Sequence, residues 1–284
     1  MMKVERKYDP EFSTCVPLLE WLEAPRRRIK KIPVNIVKSR DNLIRFSDTQ
    51  INLARWLTWE QQTPGIAKES SSALVHAAKM LAAFHQIAQQ PELKHTISIA
   101  ELPAVTWSGE GILASGLINS ADWCEAYFCA VITRDEASMD TLANFPVALI
   151  KQSGTKAGPV SYLLVEVFQA YHHKKDNFPS LLQETMSAAV AQNDDWALGI
   201  AMGYLETFAA LTTDIGFDFN EVLAKNLVHQ EKYRMNAADK DVVPVASFLP
   251  IELLGMACMW HDKGNTVTVE SDSLPRFLIE GTYL

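Results

Sequence analysis

The stretch ADWCEAYFCAVIT, residues 121–133, is apolar on most of its faces once it is wound as a helix. A helix without a solvent face has to be enclosed by other elements, so this segment predicts a core helix inside a helical array. Upstream, Leu74, Val75, Ala78, Leu81, Ala82, His85 and Ala88 recur at three- and four-residue steps before Pro91. That is the stripe of a long amphipathic helix, which Ser70 to Ser72 are read to open. Downstream, helices are predicted over Asp135 to Ala143, Pro146 to Gln152, Pro159 to His172, Pro179 to Gln192, Asp195 to Thr212, Asn220 to Arg234 and Pro250 to Trp260. Several start with proline, whose missing N–H costs nothing in a first turn.

Toward the N-terminus the pattern weakens. Ser47 or Asp48 is read as the cap of a helix carrying Ile51, Ala54, Trp56 and Leu57 to about Gln61, which Pro64-Gly65 then ends. Pro10, Pro17, Pro25 and Pro33 interrupt the first fifty residues and leave only a short helix over Leu18 to Leu22. Thr96 to Ile99 alternates and Val105-Thr106-Trp107 is β-prone, which predicts a small hairpin. Thr266 to Val269 alternates too and is expected to pair with it. The fold class is therefore mainly α: a multi-helix array with a minor β hairpin near residues 95–107. No fixed-period repeat points to a solenoid. One domain is expected over 1–284, with helices and the small β element in 1–118 and the denser array in 119–284.

Composition narrows the function. The chain has 284 residues, 48% of them hydrophobic, and a net charge of -8. Residues 1–50 hold 11 Lys and Arg against 7 Asp and Glu, a net of +4, which leaves -12 on residues 51–284. An acidic body argues against general nucleic-acid affinity and suits a basic protein partner. The basic run Arg26 to Lys31 has no interleaved aromatics and reads as a solvated face or loop. No apolar run reaches the roughly 18 residues of a membrane helix, and Met1 to Pro10 lacks a signal peptide's apolar core, so no membrane association and a cytoplasmic location are expected. Cys15, Cys124, Cys129 and Cys258 are scattered in apolar surroundings and read as reduced, structural thiols.

Catalytic patterns fail one by one. Ser153-Gly154-Thr155-Lys156 fits Ser-x-x-Lys, yet the companion motifs of a serine acyl-enzyme are missing, so an inter-helix loop is the better reading. His261-Asp262 lacks further ligands at metal spacing. His172 and His173 diverge by about 100° on a helix, and His76 and His85 also point differently. Gly109-Glu110-Gly111 lacks the third glycine of a dinucleotide site. No catalytic residue, metal ligand or cofactor is assigned.

An ordered set of short segments does carry a resemblance. Trp123-x-x-Ala126 leads to Arg134-Asp135 and Leu142, then Pro146-Val147-x-Leu149, Ser153-Gly154, Glu166, Gln169-Ala170-Tyr171 and Leu181-Leu182. Phe219-Asn220, His229 and Tyr233 follow, and the tail reads Val269-Glu270-Ser271-Asp272-x-Leu274-Pro275. Over roughly residues 120–280 this resembles the immunity protein 49 family of bacterial polymorphic toxin systems, departing at Ser273, where that family often has tyrosine. The resemblance implies a mostly helical cytosolic protein that binds and neutralises a toxin encoded next to it, without catalytic residues. Two other functions remain open: an enzyme that reverses the toxin's modification, for which Asp194, Asp195, Asp214 and Asp218 could supply carboxylates, and a helical regulatory scaffold. The motif residues Trp123, Arg134, Asp135, Glu270, Ser271 and Asp272 are read as scaffold contacts. The toxin is expected at loops where aromatic and acidic residues adjoin: Glu101, Trp107, Glu110, Asp194, Asp195, Trp196, Asp214 and Asp218.

Overall fold

In the computed structural model, which describes residues 2–9, 16–100, 102–213, 216–238 and 243–284, the quoted stretch forms helix α6, Ser120–Ile132. Trp123, Ala126, Phe128, Cys129, Ala130 and Ile132 on it are entirely buried. It packs against α4 (Pro64–Gln89), α7 (Glu136–Ala143), α9 (Pro159–His172) and α13 (Ile251–Asp262). Phe168 of α9 meets Phe128 edge-on at 4.9 Å and Phe208 at 5.0 Å. Such pairs contribute about 0.5–1.5 kcal/mol each beyond plain burial.

Around this centre the remaining helices are α1 (Leu18–Ile29), α2 (Ile32–Asn35), α3 (Asn42–Leu57), α5 (Ile112–Ser115), α8 (Val147–Gln152), α10 (Phe178–Gln192), α11 (Met202–Thr212), α12 (Phe219–Ala237) and α14 (Arg276–Ile279). α3 and α4 form a helical hairpin, α9 packs on α10, and α11 on α12. Antiparallel strands β2 (Lys94–Ile97) and β3 (Val105–Ser108) pair His95 with Trp107, as the sequence predicts. The molecule is mainly α, with only these and two shorter strands among the described residues.

Four boundaries differ from the sequence reading. α3 starts at Asn42, so Ser47 and Asp48 lie inside it; the Ser47 hydroxyl donates back to the Ile44 carbonyl instead of capping. Pro64-Gly65 opens α4 rather than ending α3, because Thr63 accepts the Ile66 N–H and proline suits the first helical position. Ser70 to Ser72 are therefore interior. α1 runs through Pro25 to Ile29: the ring is buried in the core, and Arg26 grips Glu69 of α4 with two hydrogen bonds of 2.9 and 2.8 Å. Only the rest of the basic run, from Arg27, faces solvent. Finally, the tail strand β4 (Val269–Glu270) pairs in parallel with β1 (Met2–Lys3), not with the hairpin. Asn220 clamps both Thr266 O and Thr268 N, which docks this segment on α12. His85, on the buried stripe, donates its Nδ1–H to Leu81 O, and burial lowers its pKa to about 4, so it is a neutral core residue.

Several long-range ties meet at Arg134. It occupies the left-handed region at φ 53°, immediately past the end of α6, where Asp135 N–H bonds Ala130 O to close the helix. Its guanidinium forks Asp262 at 3.0 and 3.1 Å and also donates to the carbonyls of Ile132, Leu278 and Ile279. Removing it leaves three carbonyls and a carboxylate to find other donors. Arg134→Ala should cost about 2–4 kcal/mol in urea unfolding. Arg134→Gly should cost about 1 kcal/mol less, because glycine accepts the positive φ. Equal losses would show that backbone strain plays no part there.

Candidate functional site

The sequence-predicted contact residues that the structure describes occupy three separate places. Glu101 and Asp214 lie outside the described residues. Trp107 is half-buried on β3, and Glu110 is exposed in the turn after it, its carbonyl accepting from Arg40. Arg40 precedes α3, whereas Arg55 sits at the other end of that helix, about 20 Å away at 1.5 Å per residue. It is at the Arg55 end that Trp196 is found. Asp218 is exposed as the cap of α12, accepting Asn220 N at 2.8 Å.

Residues 193–201 depart from regular helix. Asn193 ends α10 in the left-handed region at φ 50°, and Ala197–Ala201 form one wide π-helical turn before α11. Asp194 caps that turn, accepting Ala197 N–H at 2.7 Å and Gln192 Nε2–H at 2.8 Å; these hydrogen bonds hold its carboxyl below the usual range. Asp195 is exposed and free of the cap. Val190 and Leu198, on either side, are 61% and 46% exposed, two of the few large apolar side chains left in solvent. Gly199 is needed here: a Cβ would fall 2.5 Å from the Tyr233 ring. π-helical turns recur at functional sites because the extra residue is tolerated only where something offsets it.

Behind Trp196 opens a recess of about 270 Å³, floored by Cys124, Leu164 and Ile200 and lined by Arg55, Asp122, Glu125, Tyr204, Tyr233, Arg234 and Glu252. Arg55 pairs with Glu125 and donates to Asn52, and Arg234 lies 3.5 Å from the Tyr204 hydroxyl. Glu252 is buried; desolvation raises its pKa against the pull of Arg234. Asp122 sits in the first turn of α6, where Asn119 caps the helix and donates to it at 2.6 Å. Burial pushes its carboxyl up to about 6, Asn119 opposing and Glu125 adding to the shift. The Nε–H groups of both Arg55 and Arg234 are buried without an acceptor.

The sequence reading missed this recess, because Asp122 and Glu125 were absorbed into an apolar helix. Their three-residue spacing on one face was the signal that the face meets something polar. The arginines and Glu252 come from α3, α12 and α13, too far apart in the chain for any local pattern.

A larger cavity of about 680 Å³ lies where α6, α9 and α13 end. In it His172 joins Asp140 (2.8 Å) to the Tyr127 hydroxyl (3.3 Å). Burial raises the Tyr127 pKa, so the phenol serves as a hydrogen-bond donor that ties α6 to α9 and α7. Ser153 and Lys156 do not form an acyl-enzyme pair, since Lys156 donates to the Lys151 and Ser153 carbonyls. Among the described residues no three His, Cys, Asp or Glu side chains are placed to hold a metal, and no helix is long and apolar enough to cross a membrane. Cys124, Cys129 and Cys258 are buried free thiols.

Trp123, Arg134 and Asp135 lie at or near helix ends, and Glu270, Ser271 and Asp272 on β4 and the turn after it. Trp123 donates to Leu142 O at 2.9 Å, Asp135 caps α7 through Ser138, and Ser271 accepts the Ser273 N–H. The carbonyls of Glu270 and Asp272 hold Val4 and Arg6, while the Glu270 and Asp272 side chains face solvent.

Because Asp122 binds its proton more tightly when folded, with a pKa near 6 against an ordinary 3.8, stability should fall as pH rises through that window. Asp122→Asn should therefore be more stable than the parent at pH 7.5 by about 1–2 kcal/mol, after discounting for solvent screening, with the gap closing below pH 4. Urea unfolding at both pH values measures this; a gap independent of pH would refute the burial argument.

The family model for Immunity protein 49 matches residues 62–278, reaching well upstream of the segments recognised in the sequence to include the whole of α4. No curated protein and no solved structure matches the chain. With more than half its length matched, the chain belongs to the immunity protein 49 family.

Proposed function

We propose that this protein neutralises a toxin encoded beside it by forming a one-to-one complex, without turnover, in the cytoplasm of the producing cell. The observation that carries the reading is the surface around residues 190–198 in a member of an immunity family. The indole of Trp196 lines a carboxylate-rich recess, and exposed Val190, Asp195 and Leu198 lie near Trp196 in the chain. Surfaces that bind protein combine a desolvated aromatic anchor with a polar rim. With -12 on residues 51–284, the rim favours a basic toxin. Neither nucleic acid nor membrane enters the reading.

Roles divide by position. Rim charges mainly speed encounter, whereas buried anchors lengthen residence. Asp194 is not a clean probe of charge, since it also caps the π-helical turn. Asp195 is. With the toxin from the neighbouring reading frame, Asp195→Lys should slow association several-fold in 50 mM salt and hardly at all in 500 mM. Trp196→Ala should speed dissociation at least 10-fold at either salt. Surface plasmon resonance reads both; an association rate blind to salt would remove the electrostatic part, and turnover of the toxin would replace inhibition by catalysis.

A further inference from the structure

On the toxin-binding reading, we propose that the recess behind Trp196 receives one basic side chain carried on a loop of the toxin, with its cation set against Asp122. If the toxin docks elsewhere the proposal fails; if it docks here the recess still has to be filled by something, and its chemistry selects what.

The charges of the recess are not equivalent. Arg55 is committed to Glu125, and Arg234 stands between Tyr204 and buried Glu252. Asp122 alone faces the recess with no cation of this chain beside it, its only side-chain partner being the neutral amide of Asn119. Burial and the neighbouring Glu125 both disfavour its charge, which is the state of a carboxylate waiting for a counter-ion. Trp196 and Tyr233 stand in the lining, and aromatic faces beside a carboxylate attract a guanidinium or ammonium group.

Two further groups narrow the occupant. The Nε–H donors of Arg55 and Arg234, buried without acceptors, require oxygen. A bare metal ion or a polyamine brings charge but no acceptor. A phosphate or nucleotide brings acceptors, but its charge is repelled by Asp122, Glu125 and Glu252. A polypeptide loop centred on lysine or arginine brings both, a cation on the side chain and carbonyl oxygens on the backbone. Size agrees: about 270 Å³ is smaller than the roughly 300–1,000 Å³ of pockets for drug-sized ligands and suits a single side chain. Trp196 in the lining is flanked in the chain by exposed Leu198 and precedes the π-helical turn, where Gly199 lets the Tyr233 ring pack closely.

The test uses the full-length chain and a catalytically inactive form of the toxin from the adjacent reading frame. Asp122→Asn keeps the shape and the Asn119 contact. It should weaken binding about 30-fold or more, equivalent to about 2 kcal/mol, while unfolding remains cooperative. Among alanine variants of the toxin's lysines and arginines, one should lose a similar factor, and its loss should not add to that of Asp122→Asn in a double-mutant cycle. A structure of the unmutated complex, which depends on no variant folding, should place that residue's nitrogen within 4 Å of Asp122. If wild type binds but Asp122→Asn binds equally, or the complex leaves the recess without a basic side chain, this inference is overturned and the toxin-binding reading stands. If wild type fails to bind the toxin at all, both fall.

Discussion

Helix α6 is enclosed by four other helices, and the rest of the molecule follows from the need to cover it. A helix buried along its length can carry polar groups only near its ends or where a recess reaches it, since an unpaired polar atom costs about 1–3 kcal/mol in the interior. The chain obeys this. Between Ala126 and Ile132 every side chain is buried, and apart from the Tyr127 hydroxyl, which meets His172, none brings a strongly polar group. Asp122 and Glu125 cluster at one end, Arg134 follows the other. The first end opens to the smaller recess; at the second, beside the larger cavity, Arg134 joins α6 to α13 and to the carbonyls of α14. Scaffold closure and candidate binding site are thus the two polar termini of one apolar rod.

Most of this array is legible in the sequence because helix periodicity is a local property. α9 begins at Pro159 and ends at His172 as read, and α7, α8 and α10 agree to within one residue. The misread boundaries share one cause. Ser, Thr, Asp and Pro act as helix signals in two opposite ways, and only the surrounding packing chooses between them. Ser47 bonds backward inside α3, and Pro64 starts a helix where it looked like a stop. Pro25 lies inside α1 with its ring buried rather than ending the helix. The β4 pairing was invisible for a different reason: its partner is the N-terminus, some 267 residues away, and the choice is made by the Asn220 clamp.

The candidate site divides the same way. The turn at Asp194 to Trp196 could be found because Asn193-Asp194-Asp195 precedes an apolar run, the local pattern of a capped helix start. That the turn is π-helical, that its indole fronts a recess and that Tyr233 of another helix lies against Gly199 are matters of tertiary packing. The ion pair of Arg55 with Glu125 joins α3 to α6 and the contact of Arg234 with Tyr204 joins α12 to α11, so neither is written in any window of sequence.

The recess is a poor device for stability, and that is the clearest reason to give it another role. A buried ion pair returns little net stability over an apolar pair of the same volume, because desolvation opposes the attraction. Here the lining adds an unpaired, proton-seeking Asp122, a buried Glu252 and two guanidinium donors without acceptors. Filling the space with leucine and methionine would make a firmer core. By contrast Trp123, Arg134 and Asp135 leave their bonding groups satisfied at the junctions they hold. On this reading the family's shared segments secure the helical frame, while the cost of incomplete bonding is concentrated beside the π-helical turn, where a partner can complete it. With the frame fixed by Arg134 at one end of α6, the incomplete bonding at the other end can be altered without disturbing that knot.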